Sequence, residues 1–179
     1  MRKVVHKLFW AWDFEEEEKW LNKMAAEGWA LVSARYVRYE FEKSLPGEYG
    51  VCVELLEHTA GHSESRQYLA FLEEMGVECV GTWIRWVYLR KKTADGEFEL
   101  FSDNKSRVAH LSRILVFLGI IGGMNLYVGL YNIMLLFTVG NEINLLGYVN
   151  ILLGWTFMCG FGKIKKRKRK LKEEQQIFE

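Results

Sequence analysis

The chain has 179 residues, 24 Lys and Arg against 23 Asp and Glu, 50% hydrophobic residues, 15% aromatics, one Pro and three Cys. So many aromatics exclude a disordered polymer, and Cys52, Cys79 and Cys159, odd in number and scattered, exclude a disulfide framework. The net charge of +1 conceals three regions: residues 1–110 carry 15 basic and 19 acidic side chains, residues 111–162 only Arg113 and Glu142, and residues 163–179 carry 8 basic and 3 acidic.

Residues 3–12, rich in Val and aromatics, read as a strand. Asp13 offers a helix cap, with Glu16 three residues on as an acidic capping box. Over residues 14–27 the spacing places Phe14, Glu17, Leu21, Met24 and Ala25 on one stripe, and Glu15 to Glu18 favour the positive end of the helix dipole. Gly28 follows as a left-handed C-terminal cap. A long strand from Trp29 to Glu42 is expected next, then a turn at Pro46-Gly47 and a returning strand over residues 48–57. Ser63 or Ser65 would cap a second helix burying Tyr68, Leu69, Leu72 and Met75, and Gly76 would end it. Residues 78–92 read as a fourth strand. The two halves echo each other, with Glu27-Gly28-Trp29 matching Met75-Gly76-Val77. The expectation is an α+β, ferredoxin-like βαββαβ domain over residues 1–92, with a four-stranded antiparallel sheet and both helices on one face.

Such a sheet leaves one face open. Alternation puts Phe9, Tyr36 and Trp83 on the same side as Lys7, Arg38 and Arg85, unless the register slips by one. A second copy or the following connector would cover that face, or it docks a different protein through aromatic and Arg anchors, with Trp29 nearby. RNA would stack on such aromatics, but the acidic balance and the missing RNP-type signature argue against direct nucleic-acid binding. His58 and His62 have H-x3-H spacing, but they fall in a loop around Gly61 without an HExxH pattern, so no metal site is assigned. Cys52 reads as a small strand hydrophobe. With no phosphate loop, no GxSxG elbow and no CxxC, no catalytic residue and no cofactor are assigned.

Residues 93–110 form a polar connector, with a short extra strand expected at Glu97–Phe101. Residues 111–162 hold two charge-free runs, about 114–139 and 143–162, around a short turn with Glu142. About 20 helical residues cross a ~30 Å hydrocarbon core, so both can span, as an antiparallel hairpin. Asn125, Asn132, Asn144 and Asn150 are expected to make polar contacts between the spans, and Gly119 and Gly123 have the small-xxx-small spacing of close helix pairs. Lys105, Arg107 and Arg113 before the first span and the basic tail 163–179 after the second place both ends in the cytoplasm. Met1-Arg2-Lys3 leads into no apolar stretch, so no signal peptide is expected and the first 110 residues stay inside. In the tail, Lys163, Lys165, Lys166, Arg167, Lys168 and Arg169 are expected to contact anionic lipid.

The run from Trp10-Ala11-Trp12-Asp13 through Glu18-Lys19-Trp20-Leu21-Asn22-Lys23-Met24-Ala25-Ala26-Glu27-Gly28-Trp29 resembles the signature of the bacterial domain of unknown function 2812 family. Tyr68-Leu69, Gly76-Val77, Trp83 and Tyr88 fit the same family. The resemblance spans about residues 1–110 and implies a partner among PadR-like transcription regulators, with no catalytic residue to carry over. The functional expectation is a non-enzymatic, two-pass, membrane-anchored protein whose cytoplasmic domain associates with itself or with such a regulator. Two alternatives stand beside it. One is a lipid or small-molecule sensor with a pocket lined by Trp10, Trp12 and Trp20; the other is an accessory subunit of a transporter complex.

Overall fold

The computed structural model describes residues 1–96, 98, 100–101, 104–139 and 145–178, and the chain divides into two compact units, Met1–Asp103 and Asn104–Glu179. The first unit runs β1 (Arg2–His6), α1 (Phe14–Ala26), β2 (Trp29–Arg35), β3 (Arg38–Lys43), β4 (Tyr49–Leu55), α2 (Ser63–Glu74), β5 (Val77–Trp83) and β6 (Trp86–Lys92), with short 3-10 turns at Ala11–Asp13 and Thr93–Asp95. The single ferredoxin-like sheet of four strands is therefore replaced by two antiparallel sheets of three, ordered β1-β3-β2 and β4-β6-β5.

Two hairpin turns explain the difference. Each long strand expected from the sequence folds back at Tyr36-Val37 or at Ile84-Arg85. Tyr36 (φ 45) and Ile84 (φ 56) occupy the left-handed region, which bulky and β-branched residues rarely adopt. Turns of this length normally announce themselves through Gly, Asn or Asp, and these do not. The first strand is also shorter than expected, because Ala11–Asp13 is a 3-10 turn.

With the turns in place, the echo becomes a repeated strand-helix-strand-strand unit. The left-handed glycines (28 and 76), the strand bulges (32 and 80) and the hairpin turns (36 and 84) recur 48 positions apart, since 76 − 28 = 80 − 32 = 84 − 36 = 48. Where the repeats meet, β2 and β5 pass backbone against backbone: a Cβ on Gly81 would collide with the Ala34 carbonyl oxygen.

α1 buries the expected stripe of Phe14, Glu17, Leu21, Met24 and Ala25. The Asp13 side chain makes no capping bond. At α2 the cap is His62 rather than Ser63 or Ser65, its Nδ1 accepting the Glu64 N–H at 3.4 Å. α2 packs Leu72, Tyr68 and Leu69 onto Leu56, Val77, Val87 and Leu89, joined by Phe98 and Leu100, while Met75 stays exposed. Phe98 and Leu100 come from the segment read as an extra strand, of which Glu97 and Glu99 lie outside the described residues. The opposite face of the second sheet meets the first repeat, Trp86 against Phe14 at 6.0 Å and Tyr88 against Tyr39 at 6.2 Å.

β4 is an edge strand, and α1 closes its outer side. The Asn22 carboxamide accepts the Val51 N–H at 2.9 Å and donates to the Val51 carbonyl at 2.7 Å and to Glu18 O at 2.9 Å. The Glu18 carboxylate accepts the Val53 N–H at 2.9 Å. Two side chains thus stand in for a neighbouring strand.

The second unit is α3 (Asn104–Val139) and α4 (Leu145–Phe178). α3 begins inside the expected connector, and α4 continues through the basic tail. Gly122 and Gly129 face Gly154 and Gly147: a Cβ on Gly129 would lie 2.9 Å from Gly147 O, and one on Gly154 would lie 2.8 Å from Leu126 N. This spacing of seven residues, not the Gly119/Gly123 pair, brings the backbones together, since Gly123 has nothing within 4 Å of its added Cβ. Asn125 and Asn132 donate at 2.8 Å to Ile121 O and Val128 O of their own helix. Asn144 lies outside the described residues.

Asn22→Ala should destabilise the first unit by about 1–3 kcal/mol, because it strips partners from two backbone groups of Val51, measured by denaturant unfolding. Gly154→Leu should lower the detergent melting temperature of the helical hairpin, whereas Gly123→Leu should leave it within about a degree.

Candidate functional site

The most heavily buried polar cluster of the first unit centres on Glu17, which its helical stripe aims at the sheets. Glu17 is 6% exposed, and Tyr39 donates its hydroxyl to the carboxylate at 2.6 Å. Burial raises the Glu17 pKa, opposed by hydrogen bonds from Tyr39 and Tyr88 and reinforced by the charge of Glu18. Burial, with the carboxylate alongside, pushes both tyrosine hydroxyls well above their ordinary range, so they remain donors at any physiological pH. Phe9 and Trp20 pack on Tyr39 and on each other, and Phe41 packs on Trp20. A general acid must reach a substrate, and this cluster is packed into the core, so it works as a structural tie. Cys52 belongs to the same interior. Burial raises its thiol pKa steeply, followed by Glu18 and then Glu54, the reverse of what activates a cysteine nucleophile. Buried Glu54 accepts the Tyr68 hydroxyl at 2.9 Å.

The six residues read as a docking face do not share one. Phe9 lies on the core side, its ring 5.7 Å from Trp20 and 6.4 Å from Tyr39, with Lys7 Nζ 4.6 Å over Phe9 and over Trp20. Trp29 has Lys43 at 4.4 Å and Lys3 at 5.1 Å over its ring. Arg38 stands opposite His6 and Arg35 on the outer face of the first sheet, paired with Glu40 at 2.7 Å. Arg85 is in a hairpin turn and donates Nε to Leu56 O at 2.8 Å, tying that turn to the end of β4. Tyr36 and Trp83 do come together. One from each repeat, they stack at 4.6 Å with 28° between planes, both partly solvent-accessible. The physical reasons for the dispersal are the pair of turns, which reset the alternation after residue 36, and the end of β1 at His6, which takes Phe9 off the strand.

The tryptophans proposed to line one pocket also separate. Trp10 and Trp12 stack at 5.0 Å, while Trp20 joins Phe9, Tyr39 and Phe41. Among the described residues, one constellation has donors suited to a metal: ligand atoms of His58, His62 and Glu64 lie within 4.8 Å of one another, with the rings stacked at 4.1 Å. His58 Nε2 is 3.4 Å from Glu64, and the Ser65 hydroxyl donates to His58 O. The triad is largely solvent-exposed and His62 is already spent on the helix cap.

The remaining cationic surface is the end of α4. Arg169 pairs with Glu173 at 3.4 Å and Lys170 with Glu174 at 3.8 Å, one turn apart. Lys165, Lys166, Lys168, Arg169 and Lys172 gather with Leu115, Phe161 and Gly162, while Lys163, Arg167 and Lys170 line another side with Glu173, Lys166 and Arg169 bordering both. Leu115, Phe161 and Lys172 were missed by sequence reasoning, although the 161, 165, 168, 172 spacing is visible once the tail is read as helix.

A family model described as "Protein of unknown function (DUF2812)" matches residues 13–122. Neither a curated protein nor a solved structure matches the chain.

The folded state holds the Glu17 proton more tightly than the unfolded chain. Its contribution to stability is therefore full below the ordinary carboxylate range and is lost as pH rises through the raised folded value. Glu17→Gln cannot titrate, so the melting temperature of the parent minus that of the variant should fall as pH rises above the ordinary carboxylate range. A difference that rises with pH, or stays flat, would contradict the assignment; tryptophan fluorescence melts of the full chain in detergent measure it.

Proposed function

The chain belongs to the DUF2812 family, and we propose that it is a non-enzymatic membrane-anchored protein whose first unit is held at the cytoplasmic face to bind a protein partner. The observation that carries this reading is the outward surface of the hairpin. Both helices are long and apolar enough to cross a membrane, and only 22% and 17% of their most apolar stretches are buried. Val116, Ile120, Met124, Tyr127, Leu130 and Phe137 on α3, and Leu146, Leu152 and Trp155 on α4, are exposed. Each such side chain favours an apolar surrounding by roughly 1.5–3 kcal/mol, a sum that water cannot match and lipid tails can.

The distribution of charge supports an orientation with both ends inside, since Lys105, Arg107, Arg113 and the tail flank the spans and only Glu142 is charged between them. The partner is a second copy of the chain or a PadR-like regulator, the latter on the strength of the family resemblance alone. Tyr36 and Trp83 are the contacts favoured here, because a partly exposed aromatic stack contributed by both repeats has the composition of an interface centre. The sensor alternative is weakened by the separation of Trp20 from Trp10 and Trp12.

Full-length chain should remain in the pellet when native membranes are washed with alkaline carbonate, and reporter fusions at either terminus should respond as cytoplasmic. In those membranes Tyr36→Ala with Trp83→Ala should cut chemical cross-linking to the partner at least about tenfold, or 1.4 kcal/mol. Undiminished cross-linking to both itself and a PadR-like regulator would end the docking assignment.

A further inference from the structure

α4 does not end where its apolar sequence ends. The charge-free run stops at Gly162, yet the helix continues to Phe178. Because it stays helical, Phe161, Lys165, Lys168 and Lys172, spaced by four, three and four, fall on one face. With Gly162, Lys166, Arg169 and Leu115 of α3 they line a groove of about 580 Å³. Its floor is apolar, formed by Leu115 and Phe161, and a Cβ at Gly162 would meet nothing within 4 Å, so the groove is open there. Its rim is cationic. Arg169 is neutralised by Glu173, but among the described residues no acidic side chain pairs with Lys165, Lys168 or Lys172. Three like charges within two turns repel each other unless an anion lies between them.

The depth of these residues selects the anion. At 1.5 Å per residue, Lys165 lies about 4.5 Å beyond the last uncharged residue, and Lys168 and Arg169 about 9–10 Å. The headgroup layer is roughly 5–8 Å thick on each side of the hydrocarbon core. Leu115 and Phe161 therefore sit at the level of acyl chains and Lys165 at the level of phosphates, while Lys168, one turn farther out, reaches back to that level with its long side chain, provided that α3 and α4 span the bilayer as proposed above. We infer that this groove is a binding site for one anionic phospholipid, its phosphate held by Lys165 and Lys168 and an acyl chain lying against Leu115 and Phe161. Lys172 extends the cationic rim toward the polar part of the headgroup. The site is more specific than the attraction of a basic tail to a charged surface, because it uses one side of the helix and leaves Lys163, Arg167 and Lys170 outside it.

The test uses the purified full chain in detergent, offered equal amounts of phosphatidylglycerol and phosphatidylcholine, with retained lipid counted by native mass spectrometry. The parent should keep one phosphatidylglycerol at least about tenfold in preference to phosphatidylcholine. K165Q/K168Q/K172Q should lose that preference, and Phe161→Ala should weaken retention without changing charge. K163Q/R167Q/K170Q removes the same charge from the other side and should retain lipid like the parent. Equal loss from both triple variants would overturn the inference in favour of bulk tail charge. Equal retention of the two lipids would overturn it in favour of an apolar groove. Displacement by millimolar glycerol phosphate would make the ligand a soluble phosphate and also overturn it. Failure of the membrane reading is seen separately and earlier, as a chain that stays soluble without detergent before any lipid is added.

Discussion

The contact on which the first unit depends most is the clasp of α1 on β4. An edge strand presents unpaired N–H and carbonyl groups, and burying them without partners costs more than the packing around them returns. Here a carboxamide and a carboxylate from one helix meet the Val51 and Val53 amides in the geometry a neighbouring strand would have used. The clasp also joins the repeats, because α1 belongs to the first and β4 to the second. The second repeat cannot reciprocate. Moving 48 positions on from Asn22 and Glu18 gives Ala70 and Arg66, and α2 packs on its own repeat's sheet instead. Two side chains are enough to break the internal symmetry. The end strand that would have been the counterpart, β1, carries Arg2 and Lys3, the kind of charge that discourages pairing with another chain.

What was legible in the sequence was whatever rests on local periodicity. The α1 stripe, the left-handed glycines at 28 and 76, the echo between halves and the two apolar runs all follow from spacing that one segment carries by itself. The strand count did not, because Tyr36 and Ile84 take a backbone conformation that their own side chains disfavour, so no residue preference marks the turn. A signal was nonetheless present in length. A continuous strand of 14 residues is far beyond the usual five or six, and a hairpin is the economical way to fold it. The cost of missing the turn fell on the site. Alternation counted through Tyr36 misplaces Arg38 and Arg85 beyond it, and Phe9 separates because β1 ends at His6, while Tyr36 and Trp83, at the two hairpin turns, still meet.

The helical pair shows the same division between legible and hidden. Its apolarity is plain, but the residues that make the fit tight are the heptad-spaced glycines rather than the closer pair that a motif search favours. The reason is geometric. Helices packed in antiparallel fashion present the same seam every seven residues, so Gly122 and Gly129 recur against Gly154 and Gly147, and Gly123 turns away. Each asparagine amide satisfies one of its donors on its own helix, which lowers the cost of placing it in apolar surroundings.

The distribution of charge states decides where chemistry can occur. In the first unit the interior groups that look reactive are held in their neutral forms: Tyr39 and Tyr88 by burial beside Glu17, and Cys52 by burial beside Glu18 and Glu54. Their protons are fixed by the fold, and a group whose proton is fixed contributes rigidity rather than turnover. The groups free to change partner are on surfaces, namely the aromatic stack between the repeats and the lysines beyond the apolar end of α4. Both are suited to recognition. An aromatic pair gains by desolvation against another protein, and cations beside an apolar floor gain by meeting an amphiphile whose charge and tail occupy the same two levels. Reactive groups kept neutral inside and adaptable groups kept outside are what the proposed role in recognition requires.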